Sequence, residues 1–386
     1  MALKQGRGGA APPFLVMDVI TAANARQAEL PPGAPPVIRM EVGQPGTGAP
    51  AGAVAAAQAA LSRGLPMGYT EALGLRSLRE RIASHAADWY GHTPDVGQIA
   101  VTVGASGAFP LAFMAAFDPG DRIAMATPFY PPYVNILEAL GMIPVMLPTG
   151  PETRFQPTIE LLDALDPRPD GLIVASPCNP AGTMLAPDDL AAIARWCHAN
   201  GVRLISDEIY HGLHYDHEIA TAAAFSPSAV VINSFSKYFS MTGWRVGWMV
   251  LPDDLVRPVE RLAQNLFISA PHIAQITAEA AFDCTAELQA NIARYRRSRA
   301  HLLATLPSAG FPRLSPADGA FYIYADVSDR TNDSRSFCAR MLAEAGIAAA
   351  PGVDFDRVNG NRFVRFSYCG AEADMVSASA RLAGWK

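Results

Sequence analysis

NSFSKYFSMTGWRVGW (233–248) sets a single lysine, Lys237, among serines and aromatics. The apolar run AVVINS (229–234) leads into it and RVGWMVL (245–251) follows, so the lysine stands at the mouth of a buried strand. Lysine is rarely buried without a partner. Beside a second cation, here Arg245, a desolvated lysine loses basicity and becomes a nucleophile. Ser234, Ser236 and the Arg245 fork are the donors a phosphate needs. A plainer reading pairs Lys237 with the carboxylate of Asp207.

Working outward, short apolar or β-branched runs recur on both sides: IAVTV, RIAMA, IPVML, GLIVAS, VRLIS, AVVINS and RVGWMVL. Helical patterns such as DDLAAIARWCHAN (188–200) separate several of them. That alternation predicts an α/β fold with a mostly parallel seven-stranded sheet covered by helices on both faces. RVGWMVL follows after only a short turn, which suits an antiparallel neighbour. Beyond Phe282 a long charged helix (287–306), the strands FPRLSP and GAFYIYADV, a helix near 334–346, RFVRFSY and a last helix predict a smaller α+β unit. Residues 1–50 are rich in Gly, Pro and Ala and read as an extended arm with turns. The expected division is an arm and small-domain segment at 1–50, a large domain at 51–284 and a C-terminal small domain at 285–386.

Half of the 386 residues are apolar and 17% are charged, enough for a sizeable core. A net charge of −6 with no basic tract gives no attraction for nucleic acid or anionic membranes. The most apolar stretch, GAFPLAFMAAF (107–117), is too short to span a bilayer and reads as a buried helix. The N-terminal residues carry no leader-like apolar run, and the five scattered cysteines suggest neither a disulfide framework nor a zinc site. No metal is expected, and cytoplasmic residence is.

Three more segments lie where strands end, the place at which open α/β sheets hold ligands. In VTVGASGAF (101–109), Ala105 and Ser106 open an apolar helix whose N–H groups suit an anion, or merely an ordinary helix start. SPCNPAGTM (176–184) holds the amide of Asn179 between two prolines. In ISDEIYHGLHYD (205–216), Asp207 closes a buried run and needs a cation or several donors, with Tyr210 near enough to share its site. Asp207 also suits the simpler task of capping the next turn.

Taken together and in this order, the segments resemble the class I/II aminotransferases, pyridoxal 5′-phosphate (PLP) enzymes of fold type I, aspartate aminotransferase-like. S-x-S-K followed by M-T-G-W-R-x-G matches that family's lysine signature. The similarity extends from EVGQPG (41–46) through YTEALGLRSLR (69–79) and GAFYIY (319–324) to PGVDF (351–355) and RFVRFSY (362–368). It implies that Lys237 holds PLP as a Schiff base and moves the substrate proton, while Asp207 keeps the pyridine nitrogen protonated. Tyr210 and Asn179 would bond the ring's 3-oxygen, and Tyr130 would stack on the ring. Ser234, Ser236, Arg245, Ser106 and the backbone of Ala105 would hold the phosphate. Arg365 would clamp the substrate's α-carboxylate beside Gly43 and Asn179. Tyr69 would reach the phosphate from the second subunit of a homodimer with shared active sites.

The implied activity moves an amino group from an L-amino acid to a 2-oxo acid by a ping-pong route. A PLP-dependent carbon–sulfur β-lyase on the same scaffold is the alternative, because these motifs do not report which bond breaks. Ser176, Ala181 and Asp356 depart from the commoner residues of the family without removing a cofactor contact. They leave the subfamily and the amino donor open.

Overall fold

A computed structural model gives the fold of residues 3–385. Its strands, in chain order, begin with β1 (Ile38–Met40), β2 (Ile99–Thr102), β3 (Arg122–Thr127), β4 (Ile143–Pro148), β5 (Gly171–Ala175) and β6 (Arg203–Asp207). They continue with β7 (Val230–Ser234), β8 (Gly247–Val250), β9 (Arg313–Leu314), β10 (Tyr322–Asp326), β11 (Ile347–Pro351) and β12 (Phe363–Ser367). The seven strands expected between residues 99 and 251 form one sheet, ordered β2-β8-β7-β6-β5-β3-β4. Pairings from β7 across to β4 are parallel, and β8 runs against both β2 and β7.

The strands are apolar on both faces because both faces are covered. Ile173, Ile205 and Ile232 pack with Phe109, Phe113 and Val134 of helices Gly104–Ala116 and Pro131–Leu140. Their sequence neighbours Leu172, Leu204 and Val231 pack on the other face with Leu190 and Ile193 of helix Pro187–Ala199. The period-two alternation of side chains along each strand therefore feeds two separate cores.

A second sheet, ordered β1-β11-β12-β10-β9, takes β1 from the first fifty residues and the rest from the C-terminal part. Two of its features depart from expectation. Residues 15–29 are not extended but form a helix, Leu15–Glu29. That segment contains no Gly or Pro, and its Leu, Met, Ala, Gln and Glu favour helix; the Gly- and Pro-rich flanks masked it. Strand β11, IAAAP, lacks the β-branched run that marks a strand, yet it is buried along its whole length between β1 and β12.

Register then assembles a site. Ala175 pairs with Asp207, and Gly247 pairs with both Thr102 and Ser234. The C-terminal ends of β2, β5, β6 and β7 and the start of β8 consequently share one edge of the sheet. Among the described residues, no helix is long and apolar enough to cross a membrane.

Candidate active site

A cavity of about 730 Å³ opens at that edge. Its lining includes Gly43, Ala105, Ser106, Tyr130, Asn179, Asp207, Tyr210, Ser234, Ser236, Lys237, Arg245 and Arg365. Tyr69 alone among the expected site residues lies outside it, with 82% of its surface exposed.

One end of the cavity is a cradle of donors. Arg245 adopts φ +54°, which turns its side chain back towards the helix start, and its Nη2 donates to Ser106 Oγ at 3.4 Å. Its Nη1 is held by the Thr242 carbonyl at 2.8 Å. Gly104 suits this place: at φ +66°, which strains other residues, a Cβ would also stand 2.6 Å from Arg245 Nη2. Gly247 likewise lets β8 press against the backbone of Gly104 and Ala105, where a Cβ would come within 3.0 Å of Ala105 N. The hydroxyls of Ser234 and Ser236 bond each other at 2.9 Å, and Ser234 also donates to the Val246 carbonyl at 3.2 Å.

Asp207 sits deeper and is almost fully buried. Oδ1 accepts the N–H of Ile209 at 3.1 Å, so the carboxylate does cap the following turn. Oδ2 accepts a short hydrogen bond from Tyr133 Oη. Burial raises its pKa to about 6, against the pull of these two donors and of Lys237. Among the described residues no cation is bonded to it; the expected alternative of an ion pair with Lys237 is not formed.

Lys237 Nζ instead donates to the Gly43 carbonyl at 2.5 Å and lies 5.5 Å from the centre of the Tyr210 ring. Its surroundings withdraw water and lower its pKa to about 8, and the charges of Arg365 and Arg245 act in the same direction. The chain has three lysines, and Lys237 is the one that lines the cavity.

Arg365, on the middle strand β12, is among the largest fully buried side chains. Nη1 donates to Asn179 Oδ1 at 2.8 Å and Nη2 to the Glu41 carbonyl, while Nε has no partner. The guanidinium also lies over the rings of Tyr322 and Phe355, at 4.5 and 4.7 Å. The hydroxyl of Tyr210 bonds that of Tyr322 at 2.8 Å.

Sequence reasoning missed Tyr133 and Tyr322. The signal for Tyr133 was its spacing from Tyr130: three residues on a helix share a face, and the two rings meet edge-on at 5.3 Å. It also missed the apolar wall that Phe14, Val16, Met17 and Ile20 bring to the cavity.

The family model for aminotransferases of class I and II matches residues 35–382. The chain belongs to that family. This aminotransferase is 49% identical to the valine–pyruvate aminotransferase of Mycobacterium tuberculosis over 97% of its own length and 96% of the relative's. A crystal structure of an aminotransferase from the same organism superposes with a TM-score of 0.96 at 48% identity, covering 100% of this chain and 99% of that one. The aspartate aminotransferase of Thermus thermophilus, solved with maleate, gives 0.92 at 30% identity with both chains fully covered. The aminotransferase therefore moves amino groups from amino acids to 2-oxo acids, and these likenesses do not favour the carbon–sulfur lyase alternative.

Class I/II aminotransferases depend on PLP, and the cavity of this aminotransferase fits it. The cradle of Ser106, Ser234, Ser236, Arg245 and the helix start has the donors and charge for a phosphate. Asp207, buried with neutral donors only, has the need for a cation that a protonated pyridine nitrogen meets.

Proposed function

We propose that Lys237 is the covalent attachment point for PLP and the base of the reaction. The observation that carries this reading is the convergence of Lys237, Asp207, Arg245 and Arg365 on one cavity. When bound, PLP supplies the carbonyl that takes the amino group and a ring that draws electrons from Cα. The cradle would hold its phosphate, and Tyr130 would stack on its ring. Asp207 keeps the ring nitrogen's proton in place, and the Tyr133 hydroxyl fixes the carboxylate for that task. Arg365 presents two N–H groups to the substrate's α-carboxylate, next to Gly43 and Asn179. Lys237 Nζ, with a pKa near 8, is a free amine in a useful fraction at neutral pH and takes the proton from Cα.

The donor we propose has a branched aliphatic side chain, as in valine, with pyruvate as an acceptor. Phe14, Val16, Met17, Ile20 and Ile136 give the cavity an apolar wall, and its cations from this chain are Lys237, Arg245 and Arg365, all occupied in the roles above. The name of the mycobacterial relative supports the same substrates. We further propose a homodimer in which Tyr69 reaches the partner's phosphate site; its exposed ring supports this. All five cysteines are free thiols, which supports a cytoplasmic setting.

The test is a panel of amino acids against the PLP-loaded enzyme. Valine should exceed aspartate in kcat/KM by at least about tenfold. Ile20→Ala, removing roughly 1–3 kcal/mol of apolar contact, should cost valine more than alanine. Aspartate reacting as well as valine would remove the proposed donor class.

A further inference from the structure

We infer that Cys369 is a positioning residue, which holds the strap of residues 41–46 over the active site when Lys237 lets go of it.

The strap is pinned at successive carbonyls. Glu41 O accepts from Arg365 Nη2, and Gly43 O accepts from Lys237 Nζ at 2.5 Å. Between and beyond them, the carbonyls of Val42 and Gln44 face Cys369 Sγ at 3.3 and 2.8 Å. A thiol has one proton, so Gln44 O, the nearer, takes it, and the Val42 contact is secondary. The Ser367 hydroxyl lies 3.1 Å from the same sulfur and completes a chain from hydroxyl to thiol to carbonyl. The backbone adds a further tie, Gly46 N–H to Cys369 O at 3.1 Å. At Gly43 the strap has no slack, because a Cβ there would stand 1.8 Å from Tyr322 Oη.

One of these anchors belongs to a residue that must change partners during turnover. Lys237 cannot donate an ammonium proton to Gly43 O while its nitrogen is bonded to the cofactor, whereas Arg365 has five N–H groups and can take a carboxylate while keeping Glu41 O. That demand does not fall on Cys369. It is buried, and its thiol is pushed up in pKa by that burial and so keeps its proton. Loss of this anchor frees Gly43 in just those states where Lys237 has released it, and the carboxylate end of the cavity loosens.

The inference rests on the roles proposed for Lys237 and Arg365. Trapping the cofactor on Lys237 in the unaltered enzyme tests that reading independently. The test of the clamp compares Cys369→Ala, Cys369→Val and Cys369→Ser as PLP-loaded enzymes. Alanine and valine lack a donor, valine while filling the space, whereas serine keeps one. KM for the amino acid should rise about five- to twentyfold in both apolar variants, with kcat within about threefold, and serine should restore KM to within about threefold. The strap peptide should exchange amide hydrogen faster in Cys369→Val than in Cys369→Ser. Wild-type KM in Cys369→Val would make the residue a space-filler and overturn the inference. So would equal losses of kcat and KM in all three variants, which would mark a general packing defect.

Discussion

Tyr133 and Asp207, 74 residues apart in the chain, share a short hydrogen bond at the floor of the cavity. The phenol donates, since burial holds its own pKa well above the ordinary tyrosine value. Asp207 Oδ2 is thus oriented by Tyr133, and Oδ1 is fixed by the Ile209 N–H. Tyr133→Phe leaves one oxygen of a buried carboxylate without its donor, at a cost of about 1–3 kcal/mol. The apo-enzyme should melt at a lower temperature, and kcat should fall about tenfold with KM for the amino acid nearly unchanged. A variant with normal kcat would restrict Tyr133 to packing.

Asp207 itself gives a pH-dependent outcome. Its folded pKa of about 6 lies above the usual 3.8, so between those values the folded apo chain holds more protons than the unfolded one. Apo stability attributable to this group therefore falls as pH rises through that window and stays low at pH 7. Asp207→Asn removes the penalty, worth roughly 1–3 kcal/mol. The apo variant should melt at or above the wild-type temperature at pH 7 and lose that advantage near pH 4. With PLP loaded, its turnover should drop by at least about a hundredfold. Thermal melts across pH, paired with single-turnover rates, check both halves.

Arg365, the proposed carboxylate clamp, is hydrogen-bonded to Asn179. Arg365→Ala should lower kcat/KM for amino acids at least about a hundredfold, because a buried bidentate partner is worth about 2–5 kcal/mol. Arg365→Lys keeps the charge without the fork and should lose less. Amines without a carboxylate should react about equally with wild type and variants. Loss of PLP with unaltered amino-acid kinetics in the remaining holoenzyme would make Arg365 structural.

Tyr69 is exposed, and the proposed homodimer would place it at the partner's phosphate site. Tyr69→Phe should weaken PLP retention about three- to tenfold. Mixed with Lys237→Ala, it should form hybrid dimers in which one site has both defects and the other has neither. At PLP concentrations too low to saturate Tyr69→Phe, mixing should then give more activity than the two preparations show separately. A fully active monomer in sedimentation would remove the shared site.

The sheet and its site were legible because polar residues interrupt apolar runs at strand ends, as Asp207, Ser234 and Lys237 do. Asn179 and Arg365 were equally visible as residue types, but their mutual bond spans 186 positions and no local pattern reports it. Tyr133 was hidden because an aromatic on an apolar helix face resembles ordinary core. The helix Leu15–Glu29 was lost in the average composition of its Gly- and Pro-rich flanks, and with it the cavity wall it carries. In β11, alanines serve as strand residues because burial between two neighbours outweighs their weak strand preference.

The central claim is that Lys237 carries the cofactor, and the chain suits a direct test because its other lysines are Lys4 and Lys386 alone. Borohydride reduction of the PLP-loaded enzyme, followed by peptide mapping, should place one pyridoxyl group on Lys237 and none on the other two. Lys237→Ala should show no covalent label at all while still binding PLP through the phosphate cradle. A label on Lys4 or Lys386 in the native enzyme, or full activity in Lys237→Ala, would contradict the account.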